Sequence, residues 1–202
     1  MAAITVDEQL PVVEQACLAG ADAALRATGA VPEPQVHLFI DGWEQPYVGF
    51  VRTRPYYEGA DAVEAITMLG TAAASATATR VLLVWEAEDL EVSLTGRRGD
   101  HPNALVCVSA SIVEDVHLLH RYPFRLHLGP PAPGGEIPCS VRVEWGQPMQ
   151  LPGGGLPPVI SSLLRTWRST RPDHAVVFPQ LARQGYPIRF VGALSLHGRA
   201  GG

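Results

Sequence analysis

Three groups of residues in this chain have the types and spacing to do chemistry. The first follows the run RVLLVW: Glu86, Glu88, Asp89 and Glu91, with His101 in the next loop, GDHPN. Two carboxylates and a histidine can hold a divalent ion or divide acid and base work between them. An unbroken apolar run marks a strand buried on both faces, and open sheets place sites at the carboxyl ends of such strands. Glu86, nearest the strand, is the first choice, with His101 as its partner in a metal reading. The plainer alternative is an acidic loop leaving the core for water.

The second group is VEDVHLLHRYPFRLH, Val113 to His127, with three histidines and two acids. As a helix it would set His117 and His120 three apart on one face with Glu114 above them, a ligand set for zinc. As a strand it separates them, because successive side chains point to opposite faces. The alternation from Tyr122 to Leu128, with Pro123 inside it, favours the strand. One histidine is then expected in the core, bonded to backbone, and a basic outer face carries His117, Arg121, Arg125 and His127.

The third group is VRTRPYY. Arg52 and Arg54 stand beside Tyr56 and Tyr57, a set that can grip an anion and stack on a ring.

Other chemistries are excluded. All fifteen basic residues are arginine, as a GC-rich genome encodes, so no Schiff-base, P-loop or kinase-type lysine exists. The chain has no GxSxG, HExxH or GxGxxG motif. Cys17, Cys107 and Cys139 form no CxxC pair, and Cys107 inside an apolar run reads as core. A net charge of -5 opposes general nucleic-acid binding. The first residues, MAAITVDEQL, do not read as a signal peptide, and no apolar run approaches a membrane span, so a cytoplasmic protein is expected.

The elements that must position these residues follow from periodicity. A helix is expected from about Pro11 to Gly29, a hairpin over Val36–Ile40 and Tyr47–Arg52, and a second helix from Asp61, with Val63, Ile66, Leu69, Gly70 and Ala73 on its inner face and Asp61 and Glu64 at capping-box spacing. Strands follow at RVLLVW, NALVCVSASIV and VHLLHRYPFRLHL. Residues 129–158 are Pro/Gly-rich connections around one strand, CSVRVEW. A helix over PPVISSLLRTWRS, a short helix and a last strand close a single domain, 1–193, with a tail at 194–202. Few crossovers and several hairpins define an α+β class: a mixed, mostly antiparallel sheet with about three helices packed on it.

RVLLVWEAEDL followed by DHPNALVCVSAS resembles a loose group of uncharacterised bacterial α+β proteins. The likeness covers about the first 128 residues: a leading helix, a hairpin, a second helix, a buried strand ending in Glu-Ala, an acidic loop and another hairpin. Trp85 departs from that pattern. The resemblance implies the fold and assigns no functional residue.

With no convergent catalytic set, the first expectation is a non-catalytic protein that assembles with itself or a protein partner through Trp43, Tyr47, Tyr56 and Tyr57. The second is a small metal-dependent hydrolase at Glu86, Glu88, Asp89 and His101. The third is an anion or nucleotide binder using Arg52 and Arg54. No cofactor is called for.

Overall fold

The computed structural model describes residues 4–98, 103–114, 116–130 and 140–191. The expected tail, 194–202, and the candidate His101 lie outside them.

Helix α1, Val6–Thr28, begins five residues before the expected start, with Pro11 inside it. Thr5 and Glu8 form a reciprocal capping box: Glu8 Oε2 accepts from the Thr5 N–H at 2.8 Å, and the Thr5 hydroxyl accepts from the Glu8 N–H at 3.3 Å. That cap is worth about 1 kcal/mol, and burying Val6 at 3% exposure adds about 1.5–3 kcal/mol, together enough to offset the roughly 3 kcal/mol that an internal proline costs. Gly29, left-handed at φ 74°, ends the helix.

Strands β1 (Gln35–Phe39) and β2 (Tyr47–Arg52) form the hairpin. Helix α2, Ala60–Ser75, is capped by Gly59 rather than by Asp61, whose carboxylate instead receives Arg54 and the Tyr57 N–H. Its inner face carries Ala62, Ala65, Ile66, Leu69, Gly70 and Ala73, while Val63 points outward at 43% exposure. Strand β3, Arg80–Glu86, runs directly into helix α3, Ala87–Thr95, a segment expected as loop. Glu86 is both the last strand residue and the helix N-cap, so no linker advertises the change.

Strands β4 (Ala104–Ser111) and β5 (His117–Leu128) follow, then β6 (Val141–Trp145) and β7 (Met149–Pro152). The connections at 129–158 therefore hold two strands, not one. Helices α4 (Pro158–Ser169) and α5 (His174–Arg183) and strand β8 (Ile188–Phe190) complete the fold. Five helices are present among the described residues against about three expected on the sheet; α5 is the expected short helix, and α3 falls where a loop was expected.

The class is α+β, with eight strands among the described residues in the order β6-β5-β4-β3-β1-β2-β8 and β7 also on β5. Every pairing is antiparallel. Alternation splits the strands between two cores. Val36, Leu38, Val81, Leu83, Val106 and Val108 face α2, α4 and α5. Gly70 allows α2 to meet α4: a Cβ there would lie 2.3 Å from the Leu163 carbonyl oxygen. Phe39, Leu82, Val84, Leu105 and Cys107 face the other way, beneath α1. No described helix is long and apolar enough to cross a membrane.

Candidate functional site

The expected acid site comes apart. Glu86 is 4% exposed, and its oxygens accept the Asp89 N–H at 2.5 Å and the Ala104 N–H at 3.1 Å. Burial pushes its pKa up, with those backbone donors pulling the other way. Burial, then the Glu88 carboxylate, raises Asp89 as well. These acids form the first turn of α3, where they favour the helix dipole. Glu88 pairs with Arg98 at 2.5 Å. Glu91 faces a different cavity from Glu86 and Asp89. Among the described residues no three His, Cys, Asp or Glu side chains are grouped to hold a metal.

The histidines separate as the strand requires. His117 reaches the Gly154 carbonyl at 2.7 Å, and His127 reaches Glu144 at 2.7 Å, far along β5. His120 is half-buried, and its partner is a carboxylate rather than backbone. Of the expected aromatic contacts, Tyr57 is 85% and Trp43 44% exposed. They lie beyond opposite ends of β2, so they share no patch. Tyr56 lines the cavity of Glu86, and Tyr47 packs on His37 and Phe39. The two arginines also part: Arg54 is bound to Asp61, while Arg52 is not so engaged.

The polar groups that converge are beneath α1. Glu14 and Cys17, one turn apart, face the sheet. Below Glu14, His120 Nδ1–H donates to Oε1 at 2.6 Å and the Tyr122 hydroxyl donates to the same oxygen at 2.9 Å. Below Cys17, Sγ lies 3.1 Å from His37 Nε2, and His37 Nδ1 lies 2.9 Å from the Tyr47 hydroxyl. With its proton on Nδ1, the imidazole donates to Tyr47 and offers Nε2, a better acceptor than sulfur, to the thiol. Gln9 accepts the Tyr47 N–H at 2.7 Å, and Asp22 accepts the Trp145 indole N–H at 3.0 Å.

Burial sets the electrostatics of this interior. Desolvation, and then the Arg52 charge, lowers His37 from 6.5 to about 4, so its ring is neutral at pH 7. Desolvation, then Glu14, raises the Cys17 thiol to about 12, so it is protonated. Burial, with Cys17 second, pushes the Tyr47 phenol up too. The set is an uncharged thiol–imidazole–phenol relay.

The relay opens on a cavity of about 310 Å³ between α1 and the sheet. Its walls are Val13, Ala16, Phe50, Val84 and Leu105, with Cys17, His37 and Arg52 as the polar groups that matter. The Arg52 guanidinium sits 5.9 Å over the Phe50 ring and 3.9 Å from Glu33, and its buried Nε has no hydrogen-bond partner. A larger cavity of about 540 Å³ lies on the other face, between α3 and the approach to α4. Its walls are Trp85, Leu90, Leu119 and Leu156, with Glu91 and Arg121 as its charged groups. That one is larger; the smaller brings a thiol, an imidazole and a guanidinium together.

Comparison with protein-family models, with curated proteins and with solved structures finds no match. Sequence reasoning passed over Glu14, Cys17 and His37. The available signal was faint: a glutamate and a cysteine on the apolar stripe of α1, and a histidine on the same strand face as Phe39.

Proposed function

We propose that the protein binds a small anion with an apolar body in the cavity beneath α1, with Arg52 as the charge partner. The buried Arg52 Nε without an acceptor is the observation that carries this reading. A donor left unmade in the interior costs roughly 1–3 kcal/mol, and a ligand oxygen removes that cost. The volume of about 310 Å³ suits a compact molecule, at the low end of small-molecule sites. Phe50, Val84 and Leu105 ask for an apolar body behind the charge. Arg54 has no part in it, since Asp61 holds it.

The test is thermal denaturation with benzoate, acetate and inorganic phosphate, at low and high salt. Benzoate is expected to stabilise most, by about 2.7 kcal/mol at a hundredfold excess over its Kd. Arg52→Gln abolishes the effect and Arg54→Gln does not. No shift with any of the three anions, or one that salt removes entirely, sinks the reading.

A second reading, assembly with another copy or a protein partner, has one specific support. Met149 and Leu151 are 43% and 45% exposed on β7, an outer strand whose one partner among the described residues is β5. Unpaired edges with apolar side chains invite strand addition. Native mass spectrometry tests it: an oligomer that Leu151→Glu dissociates supports it, and a monomer at every concentration removes it.

A further inference from the structure

We infer that Cys17 is a nucleophile and His37 its base, acting on an activated carbon of the small anion that Arg52 holds. The inference rests on the same cavity as the binding proposal and adds a reaction to it. Its basis is geometric. Sγ is 3.1 Å from Nε2, and the far side of the ring is fixed 2.9 Å from the Tyr47 hydroxyl, the order of nucleophile, base and orienting group that thiol catalysis uses. The imidazole is further held between aromatic neighbours, with ring centroids 5.9 Å from Tyr47 and 5.4 Å from Phe50. Gly20, one turn along α1, lines the same cavity as Cys17. Cys107 is the internal contrast, 1% exposed and on the wall of no described cavity.

The step balances without a further reactant. The thiol sulfur forms a bond to the activated carbon, and that carbon's bond to its leaving group breaks, the leaving group taking the electron pair. The thiol proton moves to Nε2 of His37 as the sulfur–carbon bond forms, so that no separate imidazolium–thiolate pair has to build up first. The imidazolium then releases that proton to the leaving group or to water. Because the thiol is protonated until the base acts, base assistance rather than a standing thiolate is what makes Cys17 reactive.

Alkylation of the intact folded protein, mapped by peptide mass spectrometry, tests this with iodoacetamide and iodoacetate as probes; iodide is the leaving group. Cys17 is expected to react at least ~10-fold faster than Cys107, and His37→Gln to slow Cys17 by about 100-fold, the lower range of general-base effects. Equal rates at the two thiols, or an unchanged rate in His37→Gln, would overturn the assignment. Should His37→Gln unfold, the pH profile of the unaltered protein decides instead. Base-assisted attack gives a flat rate from about pH 5 to 8, whereas a simple thiolate reaction climbs tenfold per pH unit and defeats the proposal. Arg52→Gln addresses the binding reading separately. It is expected to lower the ratio of iodoacetate to iodoacetamide rates, a ratio that cancels any change in thiol reactivity common to the two probes. An unaltered ratio removes the anion and leaves the nucleophile standing; a fallen ratio with a Cys17 rate that His37→Gln leaves unchanged does the reverse.

Discussion

Glu14 and His120 stand 106 residues apart in the chain and meet at 2.6 Å under α1. The glutamate is 5% exposed and also carries the Tyr122 hydroxyl at 2.9 Å. Removing it takes the acceptor from two half-buried donors at once. Glu14→Ala is expected to cost about 3–5 kcal/mol in urea denaturation, and Glu14→Gln, which keeps an acceptor, roughly half that. Equal losses in the two variants would show that packing volume, not the carboxylate, is what the helix needs there.

His37 makes the fold sensitive to acid. Its pKa is about 4 folded and 6.5 unfolded, so between those values the unfolded chain binds more protons. Stability from this group is complete above about pH 6.5 and drains away as pH falls through 4. The shift corresponds to about 3 kcal/mol. Because Glu86 and Asp89 are shifted upward and act in the opposite sense, the clean quantity is a difference. Stability of the native protein minus that of His37→Gln, measured from pH 7 to 4, should fall by this amount. A constant difference would mean the ring titrates normally.

Gly70→Ala is expected to destabilise despite alanine's better helix propensity. Propensity alone would gain about 1 kcal/mol. The added Cβ would sit 2.3 Å from the Leu163 carbonyl oxygen, and backbone cannot rotate away. A net loss of about 1–3 kcal/mol is expected in thermal denaturation, as for overpacked cores. Stabilisation instead would mean that α2 and α4 can separate freely.

Thr5→Ala tests the start of α1. Loss of the reciprocal cap is expected to cost about 1 kcal/mol, with hydrogen exchange rising over Val6–Leu10. A variant with neither change would place the true start near Pro11.

The sheet was legible from sequence where one face is apolar and the other is not, as in Tyr122–Leu128, or where both are, as in Arg80–Glu86. Helix α3 was not, because Glu86 ends a strand and caps a helix in one residue, and its acids look like a solvated loop until the cap is seen. Strand β7 was hidden among prolines and glycines; its pairing with His117's strand depends on a neighbour that local pattern cannot supply. The acid cluster was visible, but not that Glu86 gives both oxygens to backbone N–H groups, because those donors come from the helix it caps and from a strand eighteen residues on. The Cys17–His37 contact was illegible in principle. It joins a helix to a strand twenty residues on, and it exists only because the axial position of α1 on the sheet brings the two together.

That position has a further consequence. A lone helix on an apolar sheet face can slide or turn with little penalty, since greasy contacts reform after each small step. Along α1, however, Gln9, Glu14, Cys17 and Asp22 each engage a different strand: Tyr47 of β2, His120 of β5, His37 of β1 and Trp145 of β6. A displacement of one turn, about 5.4 Å, breaks all four together. They act as alignment keys spaced along a shaft, and the thiol meets its imidazole only while every key is seated.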